Sequence, residues 1–172
     1  MIKNINIKAL CVDASCTGNP GVMEYRGVDL HTWKEIFHSP IYPMWTNNLG
    51  EFLAIYDAIR YIEKLEKRNK SKTVQLSTHG GLRGQLSTES EANTQQPKAH
   101  KYDCIFTDSE TAIARVKSKK IKTTLPYTDQ TKELLTKVQE AATWLKTHNF
   151  DIPIRKRETE IRWEIPADFD RK

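Results

Sequence analysis

Four acidic residues stand where a sequence could do chemistry: Asp13, Glu51, Asp108 and Asp168. Asp13 ends the apolar run Ala9–Leu10–Cys11–Val12 and precedes a stretch of small residues, glycine and proline, Ala14 to Gly21. A carboxylate at the end of a buried strand costs free energy unless something pairs with it. No basic residue stands between Ala9 and Gly21, so a bound cation is the obvious partner. Hard divalent ions of the magnesium type want oxygen ligands. Two of them about 3.5–4 Å apart can activate a water and stabilise the leaving oxygen of a phosphodiester. Singly, each acid has an ordinary reading: Asp13 starts a turn, Glu51 complements a helix dipole, Asp108 caps a helix, Asp168 is a solvated tail residue. Together, in these surroundings, they predict a divalent-cation site that cuts a nucleic-acid backbone.

Such a site needs rigid elements to bring the four acids to one point. Residues 5–13 alternate and then turn apolar, which predicts a central strand ending at Asp13. The segments around Val22–Leu30 and Thr32–Pro40 carry aromatic and β-branched residues at strand spacing, and extend this to a meander of three antiparallel strands. Thr46, Asn47 and Asn48 offer capping oxygens before a helix with Leu49, Phe52, Leu53, Tyr56 and Ile59 on one face. Glu51 falls in its first turn, where the dipole favours a carboxylate. Tyr102–Thr107 reads as a strand running into Asp108, with Asp108 or Ser109 capping the next helix. Asp13 and Asp108 become neighbours if the two strands lie side by side. A longer amphipathic helix spans 128–147, capped by Thr128 or Asp129. A last strand falls near Ile152–Arg157, at an edge because of Pro153.

Residues 67 to about 101 are rich in Lys, Ser, Thr, Asn and Gln. Such a stretch cannot bury enough apolar surface to offset its ordering entropy. It predicts a mobile surface insertion within a single domain spanning 1–172. The chain of 172 residues can bury a core without crosslinks. Three cysteines with no CxxC pair fit a reducing compartment, and the N-terminal decapeptide has no apolar run of signal or membrane-span length. These features predict a cytoplasmic protein with no membrane association. The net charge of +5 is concentrated in Lys67–Lys72, Arg115–Lys122 and Arg155–Arg157, readable either as solvated surface or as a phosphate-facing side. The sequence has no HExxH, no Cys/His metal spacing, no GxSxG and no phosphate-loop Gly-Lys-Ser, which speaks against zinc, serine-nucleophile and nucleotide-hydrolysing chemistry.

Four motifs in order, Val12–Gly21, Thr46–Ala54, Thr107–Ser109 and Ile165–Asp168, make the chain resemble the type 1 ribonuclease H family in its compact bacterial-like form. The resemblance covers the chain from end to end apart from the insertion. It implies a ribonuclease H-like α/β fold, a five-stranded mixed sheet with the three antiparallel strands first, flanked by helices. It implies an endonuclease that cleaves the RNA strand of RNA–DNA hybrids with two Mg2+ or Mn2+ ions. Carried over by position, Asp13, Glu51, Asp108 and Asp168 are metal ligands, with Asp170 a lesser candidate for the fourth. Asn19, Asn47 and Asn48 contact the hybrid, Ser15 and Cys16 offer backbone groups to the RNA strand, and Thr46 holds a phosphate of the DNA strand. Uncharged amides beside the metal site suit reading of the 2′-hydroxyl. No histidine follows His148, whereas many members carry one in a loop before the last aspartate; Glu160 or Glu164 could stand in. No obligate protein partner is evident, and a monomer is expected. The competing readings are a catalytically inactive hybrid-binding module and a related nuclease on the same sheet. The intact acid set argues against the first and the asparagine pair before Glu51 against the second.

Overall fold

The computed structural model describes residues 8–77 and 101–157. Their elements run β1 (Ala9–Gly18), β2 (Gly21–Asp29), β3 (Lys34–His38), β4 (Tyr42–Trp45), α1 (Asn47–Ser77), β5 (Cys104–Thr107), α2 (Glu110–Ser118), α3 (Lys132–Thr147) and β6 (Ile154–Lys156). The sheet order is β3-β2-β1-β5-β6, with β4 pairing β2 off this path. The β1–β2 and β2–β3 pairs are antiparallel, and β1–β5 and β5–β6 are parallel. This is the mixed sheet expected, three antiparallel strands first, with six strands among the described residues where five were expected. The addition is β4, whose Pro43 gives no strand signal. Its neighbours still reach β2, pairing Gly21 with Trp45 and Met23 with Tyr42.

The sheet has two unlike faces. Alternate residues Leu10, Val12 and Ala14 of β1 and Met23 and Tyr25 of β2 join the apolar sides of α1, α2 and α3 in the main core. Burial of this kind is the chief stabilising contribution in a domain of this size. Ala9, Cys11, Val28, Leu30 and Cys104 form a smaller cluster on the opposite face, with Phe106 against it.

Two expectations are corrected. β1 does not stop at Asp13; it continues to Gly18 and pairs residue by residue with β2 as far as Gly18↔Gly21. The small residues that read as a loop are one arm of a hairpin, and its turn needs φ +96° at Gly18, a conformation glycine adopts without penalty. Helix α1 does not give way to an insertion at residue 67 but runs 31 residues to Ser77. Residues 66–73 are all polar, so they leave no periodic apolar signal, yet Lys, Glu and Arg are good helix formers. Residues 67–77, taken as part of a mobile insertion, are therefore helical; residues 78–100 lie outside the described residues. No helix among the described residues is long and apolar enough to cross a membrane.

Candidate metal centre

β1 and β5 run parallel, and their ladder ends at Cys11↔Phe106. Two residues further along each strand stand Asp13 and Asp108. Alternation places both on the face of the smaller cluster, beyond Cys11 and Phe106. Across the ladder, Asp13 is the Cα partner of Arg26 of β2.

Glu51 reaches the same point from α1. It is not in the first turn, as expected, because the helix begins at Asn47, so the dipole is not what holds it. Its carboxylate accepts the backbone N–H of Ala14 at 2.9 Å and the hydroxyl of Thr107 at 3.1 Å. It therefore bridges β1 and β5 just past their last ladder pair. Gly50 permits the approach, since a Cβ there would lie 2.6 Å from Met23 Sδ and 2.9 Å from the Ala14 Cβ.

Ligand oxygens of Asp13, Glu51 and Asp108 all lie within 4.8 Å of one another. Glu51 is 1% exposed and Asp13 9%. Burial, with the Asp13 and Asp108 carboxylates beside it, pushes the Glu51 carboxyl up to about 9, against the opposing pull of the Ala14 N–H and the Thr107 hydroxyl. Three all-oxygen ligands crowded at one point, one of them resisting ionisation, are what a hard divalent cation would relieve. The donor set fits magnesium or manganese and lacks the sulfur and imidazole that zinc favours.

Asp168, expected as the fourth ligand, lies outside the described residues, as do Glu160, Glu164 and Asp170. The other expected site residues lie on the β1–β2 hairpin and at the start of α1. Cys16 Sγ lies within hydrogen-bonding distance of Gly18 O at 2.9 Å and of Trp45 O at 3.4 Å, tying β1 to the end of β4. Ser15 and Cys16 are half-buried, and Asn19, Asn47 and Asn48 are exposed. The Thr46 carbonyl accepts the N–H groups of Leu49 and Gly50, and the Asn48 carbonyl accepts Arg115 at 3.2 Å. Ser109 caps α2 by accepting the Ala112 N–H, as expected. Thr107 is the residue the sequence reading missed. Its wholly buried hydroxyl donates to Glu51 and accepts the Ser109 N–H; the available signal was a threonine at an inward position immediately before the acid.

No family model matches the chain. Among solved structures it is similar to ribonuclease H1 enzymes. One, isolated from compost by a metagenomic approach, is 17% identical in its complex with an RNA/DNA hybrid, with a TM-score of 0.44 over 91% of this chain and 89% of that one. The N-terminal RNase H domain of a Mycobacterium tuberculosis protein is 15% identical, with a TM-score of 0.42 over 89% and 84%. The ribonuclease H1 of the halophilic archaeon Halobacterium salinarum is 14% identical, with a TM-score of 0.42 over 87% and 83%.

Proposed function

We propose that this protein is a metal-dependent endonuclease that hydrolyses the RNA strand of RNA–DNA hybrids. The observation that carries the reading is the convergence of Asp13, Glu51 and Asp108, from three separate elements, to within 4.8 Å. In this reading the three carboxylates, with Asp168, hold two Mg2+ or Mn2+ ions. Such ions, when bound, supply Lewis-acid polarisation of a phosphoryl oxygen and a more acidic bound water.

The chain's own residues do the positioning. Asp13 presents its carboxylate from within β1 and Asp108 from just past the end of neighbouring β5. Thr107 and the Ala14 N–H orient Glu51 and favour its ionised form. The exposed amides of Asn19, Asn47 and Asn48 can donate to and accept from a ribose 2′-hydroxyl, the group that distinguishes RNA from DNA. In this reading Ser15, Cys16 and Thr46 contact the backbones of the hybrid, and the net charge of +5 favours a phosphate polymer.

The test is a labelled RNA–DNA hybrid incubated with the protein and Mg2+, beside Asp13→Asn, Asp108→Asn and Asp168→Asn. The wild type is expected to cut the RNA strand. Asp13→Asn and Asp108→Asn are expected to lose about a hundredfold or more, since residues that only hydrogen-bond to a metal ligand are already worth about 10–100-fold. Salt-dependent binding of an intact hybrid would favour the non-catalytic reading instead.

A further inference from the structure

The register of the sheet sets two arginines on either side of the carboxylate pair. Asp13 of β1 is the Cα partner of Arg26 of β2. Directly opposed residues of an antiparallel pair share a face, and Arg26 stands two before Val28 of the smaller cluster. On the other side, β5 pairs β6 through Phe106↔Arg155 and Thr107↔Lys156. The Arg157 N–H continues that ladder by donating to Thr107 O at 2.7 Å. One step beyond Thr107↔Lys156, Asp108 and Arg157 fall level and, by alternation, on the face of Phe106. Across four strands the row therefore reads Arg157, Asp108, Asp13, Arg26.

Both arginines are held in place. Arg157 is 8% exposed, unusual for a residue type that is almost never buried unless paired. The Arg26 side chain is 21% exposed and lies 3.9 Å from Glu35 of β3. Guanidinium groups stay charged, so each is a fixed positive charge one strand away from an acid of the metal centre.

We propose that Arg26 and Arg157 are positioning residues that bracket the carboxylate pair, offsetting the repulsion among Asp13, Glu51 and Asp108 until a divalent cation replaces that compensation. This rests on the acids forming a cation site, as argued above, and adds the groups that keep the site assembled while it is empty. It makes the arginines and the cation competitors: removing a bracket weakens the cation-free protein and strengthens cation binding. Relief of repulsion by a fixed charge at strand-neighbour distance is worth several-fold in affinity in a partly solvated site.

The experiment follows thermal unfolding of Arg26→Met and Arg157→Met, with Arg26→Lys and Arg157→Lys beside them. Melting is recorded with chelator and across a Mg2+ titration, with no nucleic acid present. The Met variants are expected to melt lower in chelator and to reach half-maximal Mg2+ stabilisation at a concentration on the order of three- to tenfold lower. The Lys variants keep the charge and are expected to stay near wild type. In an Asp13→Asn background the Arg26→Met penalty in chelator should shrink, and in an Asp108→Asn background the Arg157→Met penalty likewise. A Mg2+ midpoint that stays put or rises in the Met variants overturns the proposal, as does a chelator penalty undiminished by removal of the facing acid. If a Met variant does not fold, the Lys variant and the acid-to-amide cycle decide. A wild type that Mg2+ does not stabilise refutes the nuclease reading, whereas the chelator cycle tests the brackets by themselves.

Discussion

The Glu51 carboxylate accepts the Ala14 N–H at 2.9 Å, across 37 residues of sequence. That N–H lies on β1 past the last β1–β5 pair, so a metal-ligand candidate completes the backbone hydrogen bonding of the central strand. The first prediction concerns its proton. With the carboxyl raised to about 9 in the folded chain from an ordinary 4.5, the cation-free protein carries a proton there at pH 7. The folded state then binds more protons than the unfolded one between those two values, so cation-free stability falls as pH rises through that window. Binding of Mg2+ expels the proton. Calorimetric titrations near neutral pH, in two buffers of different protonation enthalpy, are expected to show release approaching about one proton per protein. Glu51→Gln should abolish it. Identical heats in the two buffers would contradict the prediction.

Gly50 supplies the second. A Cβ at this position would press on Met23 and on Ala14, both buried in the main core. Gly50→Ala is expected to cost about 1–3 kcal/mol, the usual range for overpacking, partly offset by better helix propensity. Because Glu51 is the next residue, Mg2+ stabilisation should weaken in the same variant. Denaturant melts with and without Mg2+ measure both, and an unchanged Mg2+ response would show that the helix accommodates the methyl without moving Glu51.

A third prediction lies away from the acids. The Tyr25 hydroxyl, on a wholly buried ring, donates to Asp57 Oδ2 at 2.6 Å, and Lys137 of α3 reaches both the hydroxyl and, at 3.0 Å, the same carboxylate oxygen. Burial and the neighbouring Asp57 carboxylate push the phenol far above its ordinary value, so it stays a donor. The three side chains tie β2, α1 and α3 together. Tyr25→Phe should cost about 1–3 kcal/mol, as expected when partners of a buried polar group are stranded. Lys137→Met should be non-additive with it in a double-mutant cycle of urea melts. Additive losses would show that the two contacts act independently.

Asp29 gives the fourth. Burial pushes its carboxyl up, but the Tyr102 hydroxyl, the N–H groups of Thr32 and His31 and the charge of Lys101 together bring it below its ordinary 3.8. A carboxylate lowered in the folded state contributes stability that is present above the unfolded value and lost as pH falls through the folded one. Stability is therefore expected to drop between roughly pH 5 and pH 2, with a shallower drop in Asp29→Asn. Urea midpoints across that range test it, and equal slopes for the two proteins would exclude Asp29 as a source of acid sensitivity.

The apolar runs 9–12 and 104–107 marked the two strands, and their side-by-side pairing met the condition under which Asp13 and Asp108 were expected as neighbours; the 3.6-residue pattern of Leu49 to Ile59 marked α1. What stayed hidden depends on contacts distant in sequence. Ala14 to Gly18 form a strand only because Gly21 to Tyr25 lie opposite. β4 exists because β2 offers an edge, against the preference of its proline. The polar end of α1 carries no periodicity to read. Thr107 could not be distinguished from any inward threonine until Glu51 was seen to reach it, and Arg26 could not be matched to Asp13 before the register was known.

The length of α1 acts as a ruler. At about 1.5 Å per residue, the exposed lysines Lys67 and Lys70 stand roughly 24–28 Å along the helix from Glu51. At about 3.4 Å per nucleotide of one strand, that span corresponds to on the order of seven or eight nucleotides. A phosphate at the acids is thus out of reach of these lysines, and in the proposed reading the far end of the helix would meet the hybrid at a separate foothold along the same polymer.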